Sequence, residues 1–203
     1  MSYNRSYHSH FEGYVEREVA GENGRRKIER VYAGEYYRHH LTDAQWKRMK
    51  RRYALLAAGS VAMLILSGLL PLNGNTVWYT GGTLALCILS LLWLMPALIG
   101  RLTAPRDMIL RQYRARKSLT YTAMVGGLSF ALASLLHFVY FALHLRGGGG
   151  ILELVPALAL IGGTVCLFIL HGTEKNMEYS RQKNAASVPA DGYDINLRSD
   201  KSD

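Results

Sequence analysis

Four apolar runs alternate with strongly polar stretches along the chain. The first extends from about Tyr53 to Leu70 and stops at Pro71; the second covers about Val77 to Ile99. The third extends from about Leu119 to Leu143 and the fourth from about Ile151 to Leu170. The first three hold no Asp, Glu, Lys or Arg, and the fourth holds only Glu153. A helix rises about 1.5 Å per residue, so a hydrocarbon core of about 30 Å takes about 20 residues. All four runs meet that length. Strands of this length would leave backbone groups unpaired in lipid, and a soluble helix would need a polar stripe. The pattern predicts an all-α membrane protein with four transmembrane helices.

The connections predict the threading. Pro71-Leu72-Asn73-Gly74-Asn75-Thr76 is a tight turn of breaker residues, and Arg146 followed by Gly147 to Gly150 is another. Short links imply two antiparallel helical hairpins. The basic segment from Arg101 to Ser118 joins one hairpin to the other.

Charge then orients the bundle. Of 24 Lys and Arg, 12 precede the first run, 6 lie in the Arg101–Ser118 connector and 5 follow the fourth run. The two short loops hold none and 1. Basic residues collect on the cytoplasmic side, so both termini are expected there, with both short loops outside. Trp78 and Tyr79, and Phe138, Tyr140 and Phe141, sit where an outer aromatic belt belongs. The first run begins after 52 residues and reads as a signal anchor, not a cleaved leader. The seven acids before residue 44 argue against a transit peptide, which leaves a bacterial inner membrane as the natural setting. The net charge of +9 is thereby explained by topology. No nucleic-acid partner is expected; attraction to anionic headgroups is the better reading.

The polar segments have patterns of their own. Residues 1–42 form a cytoplasmic segment, of which 1–13 read as disordered. Tyr14 to Val19 and Arg26 to Tyr32 are rich in β-formers, and Gly21-Glu22-Asn23-Gly24 between them is a turn signal. A β-hairpin over 14–32 follows. Thr42 and Gln45 compose a capping box, and Leu41 and Trp46 a hydrophobic staple. They predict one helix from Asp43 to about Leu70. Trp46, Met49 and Tyr53 share a face of it, with Lys47, Arg48, Lys50, Arg51 and Arg52 around them, able to snorkel. In the connector, Thr103 is placed to cap a helix with Pro105 in its first turn. There Met108, Ile109, Leu110 and Tyr113 alternate with Arg111, Arg114, Arg116 and Lys117. The four-helix domain is thus expected over 43–171, and 172–203 as a disordered tail.

Candidate chemistry is sparse. Ionisable groups inside a membrane are costly and often functional. His137 is the deepest, on one face with Ser134, Tyr140 and Phe141. Glu153 lies near the same outer boundary. A His137–Glu153 contact able to hold a cation or relay a proton is one reading; separate structural roles are the other. His137, His144 and His171 differ in depth, which excludes a pair of axial haem ligands. His8, His10, His39 and His40 lack a matching ligand set, so no metal and no cofactor is expected. Cys87 and Cys166 are single and lie in apolar runs, as packing residues do. Gly81-Gly82, Gly126-Gly127 and Gly162-Gly163, with Ala58 and Ala62, suggest close helix contacts. Pro96 is expected to kink or end the second span. No nucleophile elbow, Walker loop or zinc-protease motif is present.

The run Ile28-Glu29-Arg30-Val31-Tyr32-Ala33-Gly34-Glu35-Tyr36-Tyr37-Arg38, followed by Trp46 and the basic lead into the first span, resembles uncharacterised small four-span bacterial membrane proteins. The resemblance covers about residues 28 to 180 and implies the topology but no activity. The first functional reading is a non-enzymatic accessory or scaffold protein, with the lipid bilayer and a membrane-protein partner or a second copy as its contacts. Tyr36, Tyr37, Trp46, Arg111 and Arg114 are the candidate contact residues. The second reading is a small oligomeric transporter or channel that uses His137 or Glu153. A membrane enzyme, the third, would have only Tyr36, Arg38, His39 and His40 to draw on.

Overall fold

The computed structural model describes residues 14–20, 26–70, 72–105, 107–144 and 151–182, with backbone alone for 15–20 and 26–31. Strands β1 (Tyr14–Ala20), β2 (Arg26–Tyr32) and β3 (Tyr36–His39) come first. Helix α1 (Asp43–Leu69), the single-turn α2 (Asn73–Thr76) and α3 (Trp78–Thr103) follow. Then come β4 (Asp107–Met108) and α4 (Leu110–His144). A 3₁₀ turn (Ile151–Leu154) leads into α5 (Val155–Lys175), and β5 (Tyr179–Gln182) closes the described chain.

Helices α1, α3 and α4, and α5 with its leading turn, are each long and apolar enough to cross a membrane. Their outward faces carry large apolar side chains: Leu55, Leu69, Leu92, Trp93 and Leu143 are each more than 60% exposed. Water would penalise that much apolar surface; a bilayer covers it. The chain is a membrane protein.

The interior is filled by smaller and better-matched groups. Cys87, Leu94, Phe130, Ala133, Leu160 and Leu167 are buried at its centre. Helix α4 packs along α3 and α5, whereas α1 rests mainly on α5 and more lightly on α3. The glycine pairs divide by position. A Cβ on Gly163 would enter the ring of Phe130, and one on Gly127 would lie 3.3 Å from that of Phe168, so these glycines set the α4–α5 approach. Gly82 has open space in front of it, and Ala58 and Ala62 face outward. The small residues that α1 turns inward are Ala57, Ser60 and Ser67.

The helix boundaries depart from the sequence reading at three places. Thr42 does cap α1 with Gln45 in a reciprocal box. Pro96, however, does not end α3, which continues to Thr103. Thr103 is therefore the last residue of a span; its hydroxyl donates back to the Ile99 carbonyl instead of capping a new helix. Residues 110–118 are the first turns of α4 and not a separate connector helix. The apolar pattern alone cannot see this, because a polar helical extension outside the hydrocarbon carries no hydropathy signal.

β1 and β2 pair antiparallel, with Tyr14 opposite Tyr32 and Ala20 opposite Arg26. Their turn, and the regions expected to be disordered at 1–13 and beyond 182, lie outside the described residues. A second sheet has the order β4-β3-β5. Tyr37 opposes Met108 and Arg181, and His39 opposes Tyr179. The chain after residue 171, expected as a mostly disordered tail, is thus ordered as far as Gln182. Each strand of this sheet is too short to persist alone. Together they join the segment before α1, the α3–α4 link and the segment after α5 at one end of the bundle, referred to below as the basic end.

Candidate functional site

Beneath the β4-β3-β5 sheet, four helix ends meet around one carboxylate. Glu174, near the end of α5, is completely buried. Its Oε2 accepts from the Tyr53 hydroxyl of α1 (2.5 Å) and from Nε of Arg101 of α3 (3.0 Å). Its Oε1 accepts from the Tyr179 hydroxyl of β5 (3.1 Å) and lies 3.3 Å from Nε of Arg116 of α4. Both oxygens are therefore engaged twice, which is about what a carboxylate can accept in a buried place. Burial, followed by the neighbouring Glu174, raises the Tyr179 phenol above its ordinary range. Tyr179 thus stays protonated and can donate.

The two guanidinium groups exceed the one carboxylate by a unit charge, and the surroundings disperse that excess. Arg101 is only 3% exposed. It sits 4.5 Å from the Trp46 ring centroid and 5.6 Å from that of Tyr179. Its terminal nitrogens lie 3.1 Å from the sulfurs of Met108 and Met177, and one also bonds the Tyr179 hydroxyl. Ring faces and thioethers are soft, weakly polar partners that suit a desolvated guanidinium. Arg116 turns to the end of α5. One terminal nitrogen donates to the carbonyls of Glu174, Lys175 and Met177 at 2.9–3.0 Å, where a helix leaves acceptors unpaired and partial negative charge collects.

The sheet is fastened to this cluster from above. His39 is fully buried and lies against Trp46, with ring centroids 4.3 Å apart and planes tilted by 40°. Tyr37 lies flat on Tyr113 of α4 at 4.2 Å, and Tyr113 in turn meets Tyr179 edge-on. Arg38 forms a two-pronged pair with Asp107, the second prong at 2.6 Å. Arg181 pairs with Glu35. The Tyr32 hydroxyl donates to the Glu35 carbonyl and accepts the Leu110 amide, joining the end of β2 to the start of α4. Beside the sheet, His40, Leu41, Met49, Thr173, Asn176, Met177 and Glu178 line an open crevice of about 340 Å³.

The residues singled out from sequence are placed as follows. Trp46 is 5% exposed and belongs to the cluster, so the Trp46–Met49–Tyr53 face points inward. Tyr37 is engaged by Tyr113; Tyr36 is half-buried, edge-on to Tyr32. Arg111 and Arg114 are exposed on the first turns of α4.

His137 and Glu153 gather at the opposite end, the loop end, around α2. Glu153 accepts the amides of Asn73 (3.1 Å) and Gly74 (3.2 Å). The Asn75 amide nitrogen donates to the carbonyls of Ser67 and Leu70, the last acceptors of α1, both at 2.9 Å. That turns its Oδ1 toward His137 Nε2 at 3.1 Å. His137 Nδ1 lies 2.9 Å from the Ala133 carbonyl. His137 Nε2 and the Glu153 carboxylate both meet the 73–75 turn that separates them, and no hydrogen bond among the described residues joins the two directly. A Cβ on Gly74 would approach both Glu153 and Tyr140 at 3.1 Å, so glycine lets this turn sit down between them.

Sequence reasoning passed over Arg101 and Glu174, which look like ordinary polar flanks beyond the ends of spans two and four. The available signal was faint: Glu174 is an acid closing a span whose neighbours at that end are basic. No group of three or more His, Cys, Asp or Glu among the described residues could hold a metal ion. No family model matches the chain, and no curated protein or solved structure does either.

Proposed function

We propose that this protein is a non-enzymatic accessory or scaffold protein of a bacterial inner membrane, threaded as two antiparallel hairpins with its basic end and both termini in the cytoplasm. The observation that carries the reading is the convergence of three separate chain segments in one small sheet, anchored on Glu174. Such a construction holds a membrane-surface feature at a fixed position relative to the spans, which is what a docking platform requires. The outward side of that platform carries Tyr36, and Arg111 and Arg114 are exposed on the first turns of α4 at the same end. The positive-inside bias supports the orientation.

The same geometry weighs against the transporter reading. Glu153 and His137 Nε2 are engaged by a loop, and the interior between the two ends is mainly Leu, Phe, Ala and Cys. The buried hydroxyls of Ser60, Ser90 and Thr122 in that layer donate to carbonyls of their own helices instead of facing a path.

Mild solubilisation from native membranes, with co-purifying proteins identified by mass spectrometry, tests the proposal. A stoichiometric membrane-protein partner, lost in a Tyr36→Ala, Arg111→Gln, Arg114→Gln variant that still folds, is the expected result. A partner-free preparation that conducts or exchanges ions in vesicles, and loses this on His137→Ala, would replace it with the transporter reading.

A further inference from the structure

The cations of the basic end divide into two populations. Arg38, Arg101, Arg116 and Arg181 have carboxylate partners. Lys47, Arg48, Arg51 and Arg52 of α1 are all exposed, and no ion pair is found for them among the described residues. The nearby acids Glu35, Asp107 and Glu174 are already engaged, the exposed Glu178 forms no ion pair with this turn, and α1 itself contains only Asp43, in its first turn. No acid among the described residues neutralises this turn, and its four charged side chains face outward.

Its position says from where. Arg48, Arg52, Leu55, Ala62, Leu66 and Leu69 follow at helical spacing, and every one of them is exposed. A single outward stripe is thus apolar for most of its length and cationic at one end. Of the four spans, α1 is the least covered by protein. Its 27 residues reach about 40 Å against a hydrocarbon core of about 30 Å. With Leu69 at the far boundary, the near boundary falls close to Lys50. The guanidinium groups of Arg51 and Arg52 then reach the level of lipid phosphates, and the Lys47 ammonium and Arg48 guanidinium stand just above it.

We propose that the Lys47–Arg52 turn of α1 is a binding site for anionic phospholipid headgroups, which supply the negative charge the fold withholds there. The occupant follows from the stripe: whatever covers Leu55 to Leu69 is hydrocarbon, and the group chemically attached to it at the next turn is a phosphate. This inference needs only the membrane embedding and is independent of the scaffold reading.

The test uses the full chain, reconstituted in phosphatidylcholine vesicles containing phosphatidylglycerol. Native mass spectrometry then reads the lipids retained after mild detergent extraction. Enrichment of retained phosphatidylglycerol by about tenfold over its share in the vesicle is expected, with loss of that enrichment in a Lys47→Gln, Arg48→Gln, Arg51→Gln, Arg52→Gln variant. An Arg51→Lys, Arg52→Lys variant, which keeps the charge, should retain it. For the unaltered protein, enrichment should also fall as salt rises, which needs no variant to fold. Absence of enrichment in the unaltered protein, or equal enrichment after removal of the four charges, would overturn the proposal.

Discussion

The two ends of the bundle solve the same problem with different materials. Each must join helices that do not follow one another directly in space, and each does so through a carboxylate. At the loop end, Glu153 accepts two backbone amides of a tight turn. No guanidinium is involved, and the partners lie within one local loop. At the basic end, Glu174 accepts hydrogen bonds from side chains of α1, α3 and β5 and pairs with Arg116 of α4. The first arrangement pins a loop; the second ties three spans and a sheet to a fourth span. Full-length cross-linking of this kind makes the basic end the more cooperative of the two, since each of its members is held by the others.

The largest effect should therefore come from Glu174. Replacing it with Ala leaves two guanidinium groups without their carboxylate. Removal of one member of a buried pair costs about 3–5 kcal/mol. Thermal unfolding in detergent micelles should show a large loss for Glu174→Ala, and a smaller one for Glu153→Gln, whose amide can still accept one backbone bond. Equal losses would erase the contrast between the ends. The second test asks whether charge or shape matters at Glu174. A Glu174→Met, Arg101→Met double variant should recover part of the stability lost by Glu174→Met alone, because an apolar pair leaves fewer unmet charges.

Intermediate effects are expected where neutral bonds or ring contacts are lost. Asn75→Ala removes the acceptor facing His137 and two donors to the end of α1, and should cost about 1–3 kcal/mol by the same melting measurement. Removing the Tyr37–Tyr113 stack with Tyr37→Ala should cost about 1 kcal/mol and loosen the sheet alone. Hydrogen exchange should then rise at the β3–β5 amides while the loop end is unchanged. The smallest effect belongs to Arg38→Gln. Its pair with Asp107 is 40% exposed at each side chain, and water already screens it. The melting temperature should be unmoved within error.

The contrast also shows which parts of a membrane protein can be read from one dimension. His137 and Glu153 drew attention because an ionisable group within an apolar run is conspicuous. Arg101 and Glu174 did not, because each stands just past the end of its run, where polar residues are ordinary. The first pair proved to hold a turn, and the second pair centres the larger network. Trp46 shows the same limit in another form. Its helical spacing with Tyr53 gave the shared face correctly, but spacing does not say whether a face meets lipid, water or protein. Only the packing of α1 on α5, with Arg101 beneath the indole, answers that.

Hydropathy determined the four spans, because burial in hydrocarbon is a one-dimensional demand on each segment taken separately. Local chemistry determined the cap at Thr42 and Gln45, because its bonds join residues three apart. The β4-β3-β5 sheet was decided by the tertiary structure. Its strands are short, separated by whole spans, and carry no pattern that distinguishes them from loops. They pair because the helices deliver all three to one end, where Tyr37, His39 and Tyr179 find Tyr113, Trp46 and Glu174 waiting. Which helices touch was decided in the same way, by whether a glycine at 163 meets a phenylalanine at 130 across the bundle, a complementarity that exists only between elements and in neither alone.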